Sequence, residues 1–144
     1  MNNILLKFKK THPDAVLPKQ GSKEAAGLDI FATEETIIPA KKQAQVPIGL
    51  QLADCPKGCW IEIRIRSSKG IKGLAVLAGT IDSDYRGDMG AFIYNTGDED
   101  FVIEKGERFA QLVPHMLPEN VSVEWGEVTE TERGQGGFGS TGKF

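Results

Sequence analysis

No apolar run in this sequence approaches the roughly 20 residues that a membrane-spanning helix needs. The opening MNNILLKFKK holds too short an apolar stretch for a secretory signal. The expectation is a soluble chain inside the cell, in cytoplasm or nucleus, with no membrane partner. Cysteine is scarce: Cys55 and Cys59 are the only two, and their CxxxC spacing lacks the second pair or flanking histidines of a zinc site. They read as plain reduced thiols. His12 and His115 are the only histidines, neither lies in a catalytic or ligating motif, and surface or hydrogen-bonded polar roles suit them better. Excess positive charge is missing too. With a net charge of −3, long nucleic acid is a poor partner, because such binding works by neutralising many phosphates. A small anion could still be held by a few local arginines. No window of roughly 11 residues or more keeps a helical apolar period, which leaves helices short or marginal.

What the chain does have is an ordinary globular balance, 40% apolar and 26% charged over 144 residues. A single domain of that length buries roughly two-thirds of its unfolded surface, enough for one core without staples. The clearest element is Trp60-Ile61-Glu62-Ile63-Arg64-Ile65-Arg66, where apolar and charged residues alternate, a strand with one face inward. Short β-rich runs recur at Ile4–Phe8, Leu28–Phe31, Glu35–Ile38, Ala44–Leu52, Leu74–Leu77, Gly90–Asn95, Phe101–Ile103, Phe109–Val113 and Val121–Trp125, separated by turn clusters such as Asn95-Thr96-Gly97-Asp98. Strands this short and this frequent predict an all-β sandwich or barrel, with a jelly roll as the leading architecture. One domain is expected, with a β core over residues 1–132. From Arg133 to Phe144 five of twelve residues are glycine and aliphatic side chains are nearly absent, so this stretch is expected to be a flexible arm.

Five segments carry more polar and glycine content than a core needs. In Ala25-Ala26-Gly27-Leu28-Asp29 a carboxylate follows a small-residue approach into a strand. Arg66-Ser67-Ser68-Lys69-Gly70 offers a guanidinium fork, two hydroxyls and free amides, a set that suits a phosphate as well as a solvated turn. The segment from Ala78 to Gly90, AGTIDSDYRGDMG, reads as a hairpin holding Asp82, Asp84 and Tyr85 between glycines that permit close approach of a ligand. In Gly106 to Val113, Gln111 lies on the face opposite Ala110 and Leu112 and needs polar partners. The last, Arg133 to Gly142, sets an arginine, an isolated aromatic and two hydroxyls on a glycine chain; it is no Walker A loop, since no strand precedes it and the GxxxxGK[ST] order is missing.

In this order and across nearly the whole chain, the five segments resemble the five motifs of the trimeric dUTP pyrophosphatases (dUTPases), with IDSDYRGDMG and RGQGGFGSTG the most specific. The resemblance implies a distorted jelly roll of the β-clip kind and a homotrimer with three sites between subunits. It also implies a C-terminal arm that closes over a neighbour's site. The implied reaction is dUTP plus water to dUMP and pyrophosphate, with Mg2+ on the triphosphate; it supplies dUMP for thymidylate synthesis and keeps uracil out of DNA. Position by position, Asp82 is implied to orient and deprotonate the attacking water. Tyr85 is implied to pack on the deoxyribose, while backbone groups of Gly79, Thr80, Ile81 and Gly90 read the uracil edge. Arg66, Ser67, Ser68 and Gln111 are implied to hold phosphates. Asp29 is implied to act on the magnesium through water. Arg133, Gly139, Ser140 and Thr141 are implied to bind the far end of the triphosphate as Phe138 stacks on the base.

Two departures stand out: Leu28 replaces the family's usual aromatic, and Arg66-Ser67-Ser68-Lys69-Gly70 replaces the commoner RSGLA. An RSS pattern also occurs in the related dCTP deaminases. Those place a glutamate in the strand after the hairpin, where this chain has Met89-Gly90-Ala91-Phe92-Ile93-Tyr94-Asn95 and no carboxylate. A third reading is a non-catalytic regulator on the same fold; the intact Asp82, Tyr85, Arg133 and Phe138 speak for catalysis.

Overall fold

The computed structural model describes residues 3–139 and 142–144. Its strands are β1 (Lys7–Lys10), β2 (Leu28–Phe31), β3 (Thr36–Ile38), β4 (Gln43–Asp54), β5 (Cys59–Ile65), β6 (Leu74–Leu77), β7 (Thr80–Ile81), β8 (Asp88–Asn95), β9 (Phe101–Ile103) and β10 (Arg108–Met116), with one helical turn, α1 (Ser67–Gly70). The fold is therefore all-β. One sheet runs β1-β4-β8-β6, a second runs β2-β10-β5-β7, and β3 pairs with β9 in a small ribbon. Every ladder is antiparallel. Successive strands from β4 to β8 switch sheets each time, the crossing pattern of a distorted jelly roll.

Both large sheets feed one core. On β5, Cys59, Ile61 and Ile63 are buried while Trp60, Glu62 and Arg64 face out, as the alternation predicts. They meet Leu50, Leu52 and Ile93 from the first sheet, and Phe109 and Leu112 from β10. Burying each such side chain is worth on the order of 1.5–3 kcal/mol. Asn95, buried at the end of β8, donates from Nδ2 to the carbonyls of Ile38 at 3.0 Å and Glu99 at 2.8 Å, which fastens the small ribbon to the first sheet. In β4 the register shifts between Pro47 and Leu50, and Gly49 has φ +67°; the break accommodates a proline that cannot donate to a ladder.

Three expectations change. Ile4, Leu6 and Phe8 do pack against the core, but the first ladder begins at Lys7, where the backbone meets the end of β4. Val121–Trp125 has strand composition but forms no strand, because no sheet edge of its own chain receives it; Val123 and Trp125 are exposed. The segment 78–90 is no hairpin: β7 pairs with β5 and β8 with β4 and β6, so the loop between them joins the two sheets. Among the described residues no helix is long and apolar enough to cross a membrane.

Candidate active site

The turn after β7 is closed by the Tyr85 amide, which donates to the Asp82 carbonyl at 3.1 Å. The Arg86 guanidinium donates back to the carbonyls of Ser83 at 2.8 Å and Tyr85 at 3.0 Å, and Gln51 Nε2 donates to the Arg86 carbonyl. The loop is thus rigid without a hydrophobic interior of its own. Tyr85 folds over Gly87 so closely that a Cβ there would lie 2.3 Å from its hydroxyl oxygen, and that hydroxyl donates to the Asp88 carbonyl at 2.9 Å. On the approach to β7, Ala78 takes a left-handed φ of +52°, and a Cβ on Gly79 would come within 2.8 Å of the Ile63 carbonyl oxygen. Gly79 in turn accepts the Ile63 amide at 2.7 Å. A glycine is required at that corner because the backbone of β5 passes directly over it.

These elements enclose a cavity of about 310 Å³ lined by Thr80, Ile81, Asp82, Tyr85 and Gly90, with Gln45 and Phe92 at its side. Five of the candidate site residues are brought together there, with Gly79 at the adjoining corner. A second group forms at the ends of β2, β5 and β10, where Gln111 stands opposite Asp29 on one side and Arg64 on the other. The Asp29 carboxylate, 14% exposed, has the Arg108 guanidinium 3.5 Å away. Arg66 Nη1 donates to the Arg108 carbonyl at 3.2 Å. A Cβ on Gly27 would sit 2.6 Å from Gln111 Oε1, so the small-residue approach to β2 is what admits that amide. Ser67 and Ser68 are exposed on α1, outside the first cavity. Phe138 is fully exposed, and the Arg133 side chain donates to the Gly136 carbonyl at 2.7 Å within its own segment. Gly139 is exposed with φ +85°, whereas Ser140 and Thr141 lie outside the described residues.

A dUTPase family model matches residues 14–142. The chain belongs to the dUTPase family. Among its relatives in that family, the deoxyuridine 5′-triphosphate nucleotidohydrolase of Oryza sativa subsp. japonica is 43% identical over 141 residues, covering 96% of this chain and 81% of that one. The enzyme of the same name from Paramecium bursaria Chlorella virus 1 is 42% identical over 144 residues and covers 99% of each chain. Among solved structures, the Staphylococcus bacteriophage 80alpha dUTPase with dUPNHPP superposes with a TM-score of 0.80 at 30% identity, covering 96% of this chain and 99% of that one.

Against the family motifs, this dUTPase adds residues that sequence reading did not single out. Gln45 reaches the cavity only because β4 pairs with β8, which sets it opposite Phe92. Arg108 meets Asp29 through the pairing of β10 with β2. Gln45 lies in no motif, and Arg108 lies inside Gly106 to Val113, where nothing local points to Asp29 as its partner.

Proposed function

We propose that this dUTPase hydrolyses dUTP to dUMP and pyrophosphate; the observation that carries the reading is the single cavity shared by Asp82, Tyr85 and the Gly90 backbone. Asp82 is exposed at the rim, able to accept a proton from a water within hydrogen-bond reach. The water oxygen bonds to the α-phosphorus and its proton passes to the Asp82 carboxylate. The bond from the α-phosphorus to the bridging oxygen breaks, and pyrophosphate leaves with that oxygen. Backbone groups of Gly79, Thr80, Ile81 and Gly90 read the uracil edge, and Tyr85 packs on the deoxyribose.

Phosphate contacts come from Arg66, Ser67, Ser68 and Gln111. Mg2+, when it arrives on the triphosphate, neutralises charge there and polarises the phosphoryl groups. The donor set suits that mode: among the described residues no three His, Cys, Asp or Glu are grouped to cage an ion, and Asp29 already faces a guanidinium. A metal that keeps part of its water shell can still be met by Asp29 through water. The segment that begins at Arg133 serves as an arm that closes on the nucleotide held by the β core. In it, Arg133, Gly139, Ser140 and Thr141 take the γ-phosphate, while Phe138 stacks on the base and excludes water.

The chain acts as a homotrimer. Support comes from the separation within one chain: among the described residues neither Arg66 and Gln111 nor the arm lines the cavity that holds Asp82, so a complete site draws on neighbouring copies. A place inside the cell, where nucleotides are kept, follows from the substrate. The test is pyrophosphate release from dUTP, dTTP, dCTP and UTP with Mg2+. Turnover of dUTP should exceed the others by factors on the order of 10⁴, since a mismatch strands fixed polar groups. Comparable rates with dCTP, or ammonia released from it, would overturn the assignment.

A further inference from the structure

Lys69 departs from the family's usual motif, and its side chain is largely covered. Its Nζ lies 2.8 Å from Glu107 Oε2, with the two side chains only 15% and 23% exposed. No donor is aligned with that buried oxygen for a directed hydrogen bond, so the attraction is that of two charges at contact distance. The Lys69 ammonium also lies 5.7 Å from the centre of the Phe101 ring. Removing one member of such a pair leaves the other charge stranded in a poorly solvated place.

The partner's position gives the pair its meaning. Glu107, Arg108 and Phe109 are consecutive, and each holds the turn that bears Ser67 and Ser68. Glu107 takes Lys69. The Arg108 carbonyl accepts Arg66 Nη1 at 3.2 Å, and the Phe109 carbonyl accepts the Arg66 amide at 3.3 Å. Inside the turn the Lys69 amide donates to the Arg66 carbonyl at 2.9 Å, and no side chain caps its start. The chain on either side of the turn is held by Arg66 at its start and by the Gly73 carbonyl, which accepts the Thr96 amide at 3.0 Å and the Thr96 hydroxyl at 2.8 Å; Lys69 is the side chain that ties the turn between them to the start of β10. The same short stretch leads to Arg108, against Asp29, and to Gln111, so the pair sets the two serines in register with the other phosphate-binding groups.

We infer that Lys69 is a positioning residue, which locks the Ser67-Ser68 turn to the start of β10 through Glu107 and does not itself touch the nucleotide. The inference rests on the dUTPase reading and assigns a role at that same site.

The test measures kcat and KM for dUTP in the unmodified chain, Lys69→Met, Lys69→Arg, Glu107→Gln and the double variant Lys69→Met/Glu107→Gln, with far-UV circular dichroism on each. Misplaced reacting groups cost up to about 100-fold, so both Lys69→Met and Glu107→Gln should lower kcat by about 10- to 100-fold with KM within about threefold. Lys69→Arg should keep most of kcat. The double variant should be no worse than the poorer single one, since both break one contact. A direct phosphate ligand behaves otherwise: Lys69→Met raises KM, Glu107→Gln leaves or improves activity, and the double variant shows only the Lys69 loss in KM. That pattern, or an unchanged kcat in both singles, overturns the inference. Should Lys69→Met not fold, Glu107→Gln and Lys69→Arg decide it. An unmodified chain that releases no pyrophosphate from dUTP overturns the dUTPase reading itself.

Discussion

Ile61, Ile93 and Phe109 are fully buried, while Trp125 and Phe138 are fully exposed, although all five are large apolar side chains of one chain. Up to Met116 each strand finds an antiparallel neighbour. Beyond it, among the described residues, the last hydrogen bond to the body is the Leu117 amide donating to the Gly58 carbonyl at 2.7 Å. The described bonds of the tail are local, such as the Gly134 amide to the Thr131 carbonyl at 3.1 Å and the Gly136 amide to the Arg133 carbonyl at 3.1 Å. The contrast teaches that one sequence holds two kinds of large apolar residue: those that complete their own core, and those that the described fold leaves exposed. The core presents a preformed cavity, and under the proposed function the tail supplies the groups that close over it.

The strongest challenge to that division is Asp82→Asn, which touches only the preformed half. It should leave dUTP binding nearly intact and lower kcat by roughly 10²–10⁴, the range for losing a general base. Turnover near normal would move the base elsewhere, Asp84 first. Deleting residues 133–144 removes only the closing half. Because the described arm residues other than Gly136 and Gly137 are exposed, melting and oligomeric state should hold while kcat/KM falls by about 100-fold, as expected for a lid that excludes water. Mixing the two defective chains sharpens the comparison further. In mixed trimers some sites combine an intact Asp82 with another chain's intact arm, so activity should rise above the sum of the parents. No rise would mean that each arm serves its own Asp82.

A milder probe is Gly79→Ala, which sets a Cβ 2.8 Å from the Ile63 carbonyl and should cost about 1–3 kcal/mol in urea unfolding, with a matching loss at the cavity. The tail should be untouched. The smallest effect concerns Cys55, whose thiol burial and the neighbouring Cys59 push up to about 11. The folded state therefore holds that proton more tightly than the unfolded chain does. This contribution is complete below the ordinary thiol value of 9.0 and is lost as pH rises toward 11, while iodoacetamide at pH 8 should leave the folded chain unlabelled.

Legibility in the sequence followed the same division. Alternation in β5, and the compact β-rich runs that became β2, β6 and β9, predicted their strands because each pattern matched a face that was in fact covered. Val121–Trp125 shows the limit of that reasoning, since composition says what could pair but not whether an edge is waiting. Asp82, Tyr85 and Gly90 were legible because they share one short segment. The links of Gln45 to the cavity and of Arg108 to Asp29 were not, because strand pairing makes them across 47 and 79 positions, from Gln45 to Phe92 and from Asp29 to Arg108. Lys69 was visible as a departure, but its direction was not, for nothing in its own motif points to Glu107.

The loop that carries Asp82 leaves one sheet at Ile81 and enters the other at Asp88. Its two ends are therefore surveyed from opposite sides of the core, and the gap between the sheets fixes where the carboxylate stands. Close-packed interiors resist compression. The apolar filling of Ile63, Ile93 and Met89 thus serves as a spacer gauge for the position of the Asp82 carboxylate as well as a source of stability.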